Sequence, residues 1–403
     1  MLLVADAKPG SKDPVRCPHF GPCGGCTLLE QPYDAECKQK EKTFERWTRA
    51  RPFLREAELL PLLRADQPLF YRTSLKIPFG ARTRRHGDGA SVIAGFYRPG
   101  TKKIVDLNVC AIQHPTLTRL LVCVRKAAQE LGVPVDDARG RPGVLRHLLA
   151  RIGLGTGEVL AGFVVRRAGD ESIARLAETV FARFEKYGLV GVVENLNSAP
   201  GPRVLGPVTR RLIGATEFAS LEDGLALRTS LTTFAQVNAG QAQCLYREIV
   251  DWLAPLAGKR VVDLYSGYGP IALRLARAGA DVVGVERDAG AAEEGRRAAE
   301  ENGLAARLRF EASDAGRAWR ELSASSIDAL VVDPPRRGLA PGLVERLEAA
   351  PIARLVYVSC NPKTFLRDLT LLAQCYSVRR LRAVDLFPRT RHLEVLALLE
   401  RRA

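Results

Sequence analysis

The chain has 403 residues, 46% of them hydrophobic, enough for a large core and for two or three domains rather than one. Lysine and arginine number 60 against 45 acidic residues, a net charge of +15 that favours an anionic partner without constraining the fold. No apolar run reaches the roughly 18 residues of a transmembrane helix, and Met1–Asp13 lacks the layout of a signal peptide, so a cytoplasmic monomer with a short loose leader (residues 1–16) and no membrane partner is expected.

From Cys17 to about Gly224 the chain is punctuated by Gly and Pro. Strands are predicted at Val92–Tyr97, Lys103–Leu107, Val144–Ile152 and Val159–Arg166, and helices at Ala35–Arg49 and Pro115–Leu131. Residues 17–228 read as an α+β domain, in which 35–50 is a segment suited to packing on the domain formed by residues 229–403. Basic residues are dispersed through this part, among them Arg82, Arg84, Arg85, Arg139, Arg141, Arg146, Arg166, Arg167, Arg210 and Arg211. RNA binding and plainly solvated arginines both fit that scatter. The nine cysteines are unevenly spread, which in a cytoplasmic chain points to metal or catalysis rather than to disulfides.

From Thr229 strands and helices alternate. Strands are predicted at Arg260–Leu264, Asp281–Glu286, Leu308–Ala312, Ile327–Val332, Leu355–Ser359, Val378–Leu386 and His392–Leu399. Pro270 opens a helix, Asp288 caps another that ends at Asn302-Gly303, and Lys363–Gln374 forms a third. Residues 229–403 therefore read as a Rossmann-like α/β domain with a mixed seven-stranded sheet.

In such a sheet a ligand sits beyond the carboxyl ends of the strands. Asp263, Tyr265, Ser266, Gly267 and Gly269 occupy the first end, where glycine lets a ligand approach the backbone. Glu286 ends the second strand and is placed to accept from ribose hydroxyls. Asp314 follows the third, within reach of an adenine amino group, and Asp333 the fourth. A dinucleotide fingerprint needs a third glycine where Leu273 stands. The loop suits S-adenosylmethionine, which has no pyrophosphate to cradle, and the domain reads as a class I methyltransferase.

Asp333-Pro334-Pro335-Arg336 and Ser359-Cys360-Asn361-Pro362 end the fourth and fifth strands. Methylating carbon 5 of uracil requires a thiolate to add at carbon 6, a base to remove the carbon-5 proton, and groups that hold the ring's polar edge. Cys360, at a helix N-terminus expected to stabilise its thiolate, is the candidate nucleophile. Glu394 is the candidate base and Asp333 the ring holder. The bland alternatives are a small buried cysteine and a surface glutamate on an edge strand.

These motifs resemble the RNA uracil-5-methyltransferases that carry an iron–sulfur cluster, over nearly the whole chain. The resemblance rests on Cys17-Pro18-His19-Phe20-Gly21-Pro22-Cys23-Gly24-Gly25-Cys26 with Cys110, on Phe234-Ala235-Gln236-Val237-Asn238, on the Asp263–Gly269 loop, and on Asp333–Arg336, Ser359–Pro362 and His392-Leu393-Glu394. It implies that Cys17, Cys23, Cys26 and Cys110 bind a [4Fe–4S] cluster, a ligand set whose spacing can wrap a cubane. Zinc is the alternative metal. Cys37, Cys123, Cys244 and Cys375 are left as structural. The resemblance also implies that Gln236 touches cofactor or target base and that Phe234 packs beside a flipped uracil. Arg336 joins Asp333 at the substrate. On its own, Phe234 is equally suited to a core.

Ser266 stands where many relatives have cysteine, and Pro270 where they have Gly or Thr. Only sixteen residues precede Cys17, too few for a TRAM barrel. The layout is similar to the barrel-less branch acting on 23S ribosomal RNA, while the branch acting on transfer RNA usually lacks the cluster cysteines. Two rivals remain: an amino-group nucleic-acid methyltransferase, which needs no catalytic cysteine, and an inert iron–sulfur RNA-binding module.

Overall fold

The computed structural model describes residues 2–83, 90–136, 142–322, 326–340 and 342–402. Arg84, Arg85, Arg139 and Arg141 lie outside the described residues. At the start, β1 (Leu2–Leu3) pairs in parallel with β2 (Val15–Arg16). The stretch before Cys17 is thus tied down rather than loose, and Arg389 donates to the carbonyls of Ser11 and Asp13. In α1 (Tyr33–Arg49), Tyr33, Glu36, Cys37, Lys40, Phe44 and Thr48 are buried at spacings of three and four, one helix face. Tyr33, Cys37 and Phe44 pack into the same core as the C-terminal sheet. After α1 comes β3 (Glu58–Leu63).

A six-stranded sheet follows, built from β4 (Ser74–Thr83), β5 (Ala90–Ala94), β6 (Leu145–Ile152), β7 (Val159–Val165), β8 (Leu189–Leu196) and β9 (Val208–Gly214), in the order β5-β4-β6-β7-β8-β9. Two helices, α2 (Pro115–Glu130) and α3 (Glu171–Phe184), send their apolar faces into its core. Every residue of β7 is buried, as expected of a central strand. Lys103–Leu107, expected as a strand, makes one isolated bridge, Ile104 to Tyr97. A hairpin of β10 (Phe218–Glu222) and β11 (Leu225–Thr229) leads to α4 (Ala239–Leu253).

The C-terminal sheet is formed by β12 (Arg260–Leu264), β13 (Asp281–Glu286), β14 (Leu308–Ala312), β15 (Ala329–Val332), β16 (Arg354–Ser359), β17 (Tyr376–Val384) and β18 (Glu394–Arg401), joined by β3. Its order is β14-β13-β12-β15-β16-β18-β17-β3, eight strands and not the seven expected. The eighth, β3, pairs in parallel with β17. Helices α5 (Pro270–Arg277), α6 (Ala289–Glu301), α7 (Ala315–Leu322), α8 (Leu343–Ala349) and α9 (Pro362–Leu372) complete the domain. Cores on both faces of the sheet explain why β12, β15 and β16 are near-continuous apolar runs. Strand β12 sits between β13 and β15, so the strand order reverses there and opens a crevice at its carboxyl end.

Candidate active site

Cys360 and Glu394 meet because β18 runs antiparallel to β16. Ser359 is opposite Val395, so the residue leaving one strand lies beside the residue entering the other. Glu394 is 4% exposed, and β18 lies between β16 and β17 rather than at an edge. Burial and the nearby Asp333 carboxylate push Glu394 well above the ordinary carboxylate range, while the Arg336 guanidinium pulls it down. Asp333 is desolvated at the end of β15 and is pushed up to about 7.

The Cys360 thiol is raised, first by burial and then by Glu394 and Asp333, with Arg336 opposing. This corrects the expectation that the start of α9 would hold it as a thiolate. The N-cap position is taken by Asn361, whose Oδ1 accepts from the Lys363 amide at 3.2 Å, and Pro362 has no N–H to offer. Two carboxylates and a desolvated pocket outweigh what remains of the helix end. Arg336 is a cation felt by both Cys360 and Glu394, and its carbonyl is fixed by Asn361 Nδ2 at 2.8 Å.

At the crevice, the Gly267 amide donates to Glu286 Oε2 at 2.9 Å and the Asp288 amide to Oε1 at 2.8 Å, fixing the Glu286 carboxylate at the rim. Asp263 is 1% exposed, and neither of its carboxylate oxygens has a hydrogen-bond partner; the Ala272 amide lies close but outside bonding geometry. The Ser266 hydroxyl is likewise buried and unpartnered. Gly267, at φ +57°, faces open space where a side chain would stand. Gly269 serves packing, since a Cβ there would strike the Phe310 ring at 2.3 Å. Tyr265 turns its hydroxyl to the Ala340 amide, 3.0 Å away. Asp314 is exposed after β14, with Oδ1 accepting from the Gly316 amide.

Phe234 is 73% exposed, which removes the core alternative. It tips a loop held at both ends. Arg151 donates to the carbonyls of Ser230 and Thr233, and Glu294 accepts from the Ser230 amide. Asn238 caps α4 and donates to the Leu386 carbonyl. Gln236 lines a small internal cavity with Arg151, Tyr246 and Tyr268, and the Asp333 charge is felt at Tyr246. Arg151 gave no signal in the sequence, because its role depends on a loop far along the chain.

The cysteines of the first motif come together. Cys26 feels Cys110, Cys23 and Cys17, and burial is the main cause that raises its thiol. Burial pushes Cys110 up to about 11. Among the described residues, no group of three or more His, Cys, Asp or Glu is gathered as a site for a metal ion. Cys37 is a core residue of α1.

A buried network ties α1 to the segment before Glu394. Lys40 Nζ lies 2.7 Å from both Glu36 Oε1 and Asp385 Oδ1, and the Tyr33 hydroxyl donates to Asp385 Oδ2 at 2.7 Å. Arg389, fully buried at φ 65°, donates its amide to Glu36, and its carbonyl accepts from the amides of Thr27 and Leu28, next to Cys26.

Residues 222–402 match the family model described as tRNA (Uracil-5-)-methyltransferase. A protein of Thermosynechococcus vestitus described as an uncharacterized RNA methyltransferase is 35% identical over 94% of this chain and 82% of its own length. One of Gloeobacter violaceus with the same description is 36% identical over 100% of this chain and 85% of its own. Among solved structures, the Pyrococcus abyssi tRNA (uracil-54, C5)-methyltransferase in complex with S-adenosyl-L-homocysteine superposes with a TM-score of 0.75 at 27% identity, covering 94% of this chain and 86% of that one.

Proposed function

The chain belongs to the RNA uracil-5-methyltransferase family, and from that premise we propose that it methylates carbon 5 of a uracil in 23S ribosomal RNA, with Cys360 as nucleophile and Glu394 as base. The observation that carries this reading is the meeting of Cys360, Glu394 and Asp333 at adjoining strand ends, each felt by the next. S-Adenosylmethionine supplies an electrophilic methyl group when bound. The residues fit it: Asp263 and Ser266 are buried polar groups without partners, suited to an ammonium donor, and Glu286 is held ready for ribose hydroxyls. Gly267 leaves the approach clear.

Catalysis then follows from the side chains. Cys360 gives up its thiol proton to solvent, its Sγ bonds to carbon 6 of the uracil, and the electrons of the carbon 5–carbon 6 double bond shift toward the carbon 4 oxygen as an enolate. Asp333, protonated near neutrality, donates to the polar edge of the ring. Once carbon 5 carries the methyl group, Glu394 takes its remaining proton, the double bond re-forms and the bond to sulfur breaks. Arg336 favours the anionic forms of both groups that must lose protons. Phe234 stacks on the extruded base, and Gln236, two residues on, touches the cofactor or that base.

Cys17, Cys23, Cys26 and Cys110 hold a [4Fe–4S] cluster in this reading. What supports it is that Cys26 is influenced by Cys110, Cys23 and Cys17 together, so the four thiols of the motif lie near one another. Transfer RNA is the second substrate reading, favoured by the structural likeness to the Pyrococcus enzyme. Mapping 5-methyluridine in ribosomal and transfer RNA from cells with and without the gene decides between them. Cys360→Ala should abolish methylation and leave S-adenosylmethionine binding intact; normal turnover would point to amino-group methylation instead.

A further inference from the structure

Cys360 also faces a second space. An open groove of about 950 Å³ runs between the C-terminal end of α1 and the start of α9, and Cys360 itself forms part of its wall. Two half-buried aromatic residues, Trp47 and Phe53, line it, and neither belongs to the cofactor crevice. Arg51, Lys363, Arg367 and Arg391 line it too, and none of the lining residues is Asp or Glu. Arg367 is engaged by Asp368 and the Arg337 carbonyl. Arg51, Lys363 and Arg391 are exposed and form no ion pair with a described residue.

Half-buried aromatic rings and unpaired cations lining one groove are what a single strand of nucleic acid takes up: bases stack and phosphates meet the charges. The volume lies at the upper end of small-molecule clefts, about 300–1,000 Å³, so more than one nucleotide fits. The groove is continuous with the nucleophile, so whatever lies in it is joined to the reacting base or beside it. An acidic peptide would satisfy the cations but gives the two rings nothing planar to stack on.

We propose that this groove holds the single-stranded RNA segment adjoining the target uracil, with Trp47 and Phe53 stacking on bases and Arg51, Lys363 and Arg391 meeting phosphates. The proposal rests on the methylation reading for the identity of the base at Cys360, and the two can be tested apart. Trp252 and Trp319 are buried, so quenching of tryptophan emission reports on Trp47.

Titrating the full-length protein with a short single-stranded oligouridine should quench that emission, and Trp47→Phe should remove the signal while keeping most of the affinity. Trp47→Leu, which preserves an apolar contact with the core, should weaken binding roughly tenfold. The triple variant Arg51→Ala/Lys363→Ala/Arg391→Ala should lower the salt slope by about 2, at about 0.7 per phosphate contact on a single strand. Full-strength binding by the triple variant with emission unquenched overturns the proposal, as does equally tight binding of polyglutamate. A parallel incubation with 5-fluorouridine RNA and S-adenosylmethionine should trap a covalent adduct at Cys360. Quenching without an adduct supports the groove and overturns the methylation reading instead; an adduct without quenching does the reverse.

Discussion

Replacing Lys40 by methionine keeps the length of the side chain and removes its charge from the network that ties α1 to the segment before Glu394. Glu36 and Asp385 are both 0% exposed, and Lys40 is 2.7 Å from each. Without it, Glu36 Oε1 keeps the Arg389 amide and Asp385 keeps the Tyr33 hydroxyl, but two carboxylates face each other in a dry core. Removing one partner of a buried ion pair costs about 3–5 kcal/mol, a large share of the roughly 5–15 kcal/mol that holds a protein folded. At about 2.1 cal/mol/K of unfolding entropy per residue, a chain of 403 residues shifts by about 1.2 °C per kcal/mol, so the melting point should fall by roughly 4–6 °C.

The pH dependence carries a sign that a packing defect would lack. Burial already raises Glu36, with Lys40 the main opposing influence, so the variant raises it further. An acid whose folded pKa exceeds its unfolded one binds protons more tightly when folded, and folding gains as pH falls. The deficit measured by urea denaturation should therefore shrink as pH drops through the carboxylate range. Adding Glu36→Gln to Lys40→Met should recover part of the loss. A deficit below about 1 kcal/mol at neutral pH, unchanged in acid, would refute the reasoning.

Three further outcomes follow from the site. In the proposed mechanism Cys360 and Glu394, both raised, must lose protons, whereas Asp333, pushed up to about 7, must keep its own, so kcat/KM should rise and then fall with pH; Arg336→Met should move the rising limb to higher pH, read from a pH–rate profile. Arg151→Met should leave the Ser230 and Thr233 carbonyls unpaired at a cost of about 1–3 kcal/mol and speed hydrogen exchange across residues 230–236, with KM for RNA raised. Protein purified without oxygen should absorb in the visible as an iron–sulfur protein, and Cys26→Ser should bleach that band; a zinc content with no colour would favour the alternative metal.

The sequence exposes what is local. Apolar runs closed by Asp, Gly and Pro marked β12, β13, β14, β15 and β16, and Asp288 caps α6 through the Gly290 and Ala291 amides as its position implied. What it hides is pairing at long range. Nothing in Glu58–Leu63 announces an eighth strand, because its partner β17 lies some three hundred residues on and a single parallel edge strand has no distinctive period. Phe234 illustrates the same limit from the other side: an aromatic residue in a polar loop reads equally as core or as platform until its exposure is seen. The Cys360 environment was misjudged because a helix start is visible in sequence, whereas Glu394 and Asp333 beside the thiol are not.

The long-range contacts also give the N-terminal segment its meaning. Arg389 is the one point where three separate stretches converge: its guanidinium takes the carbonyls of Ser11, Asp13 and Gln31, its carbonyl takes the amides following Cys26, and its own amide rests on Glu36. Its positive φ is a conformation that a side chain other than glycine adopts at a cost, and here six hydrogen bonds made through one residue offset it. Five residues later the chain reaches Glu394. The cysteine-bearing segment and the stretch leading to Glu394 are therefore joined through one residue. In the proposed mechanism, substitutions that break these bonds should disturb methylation as well as stability.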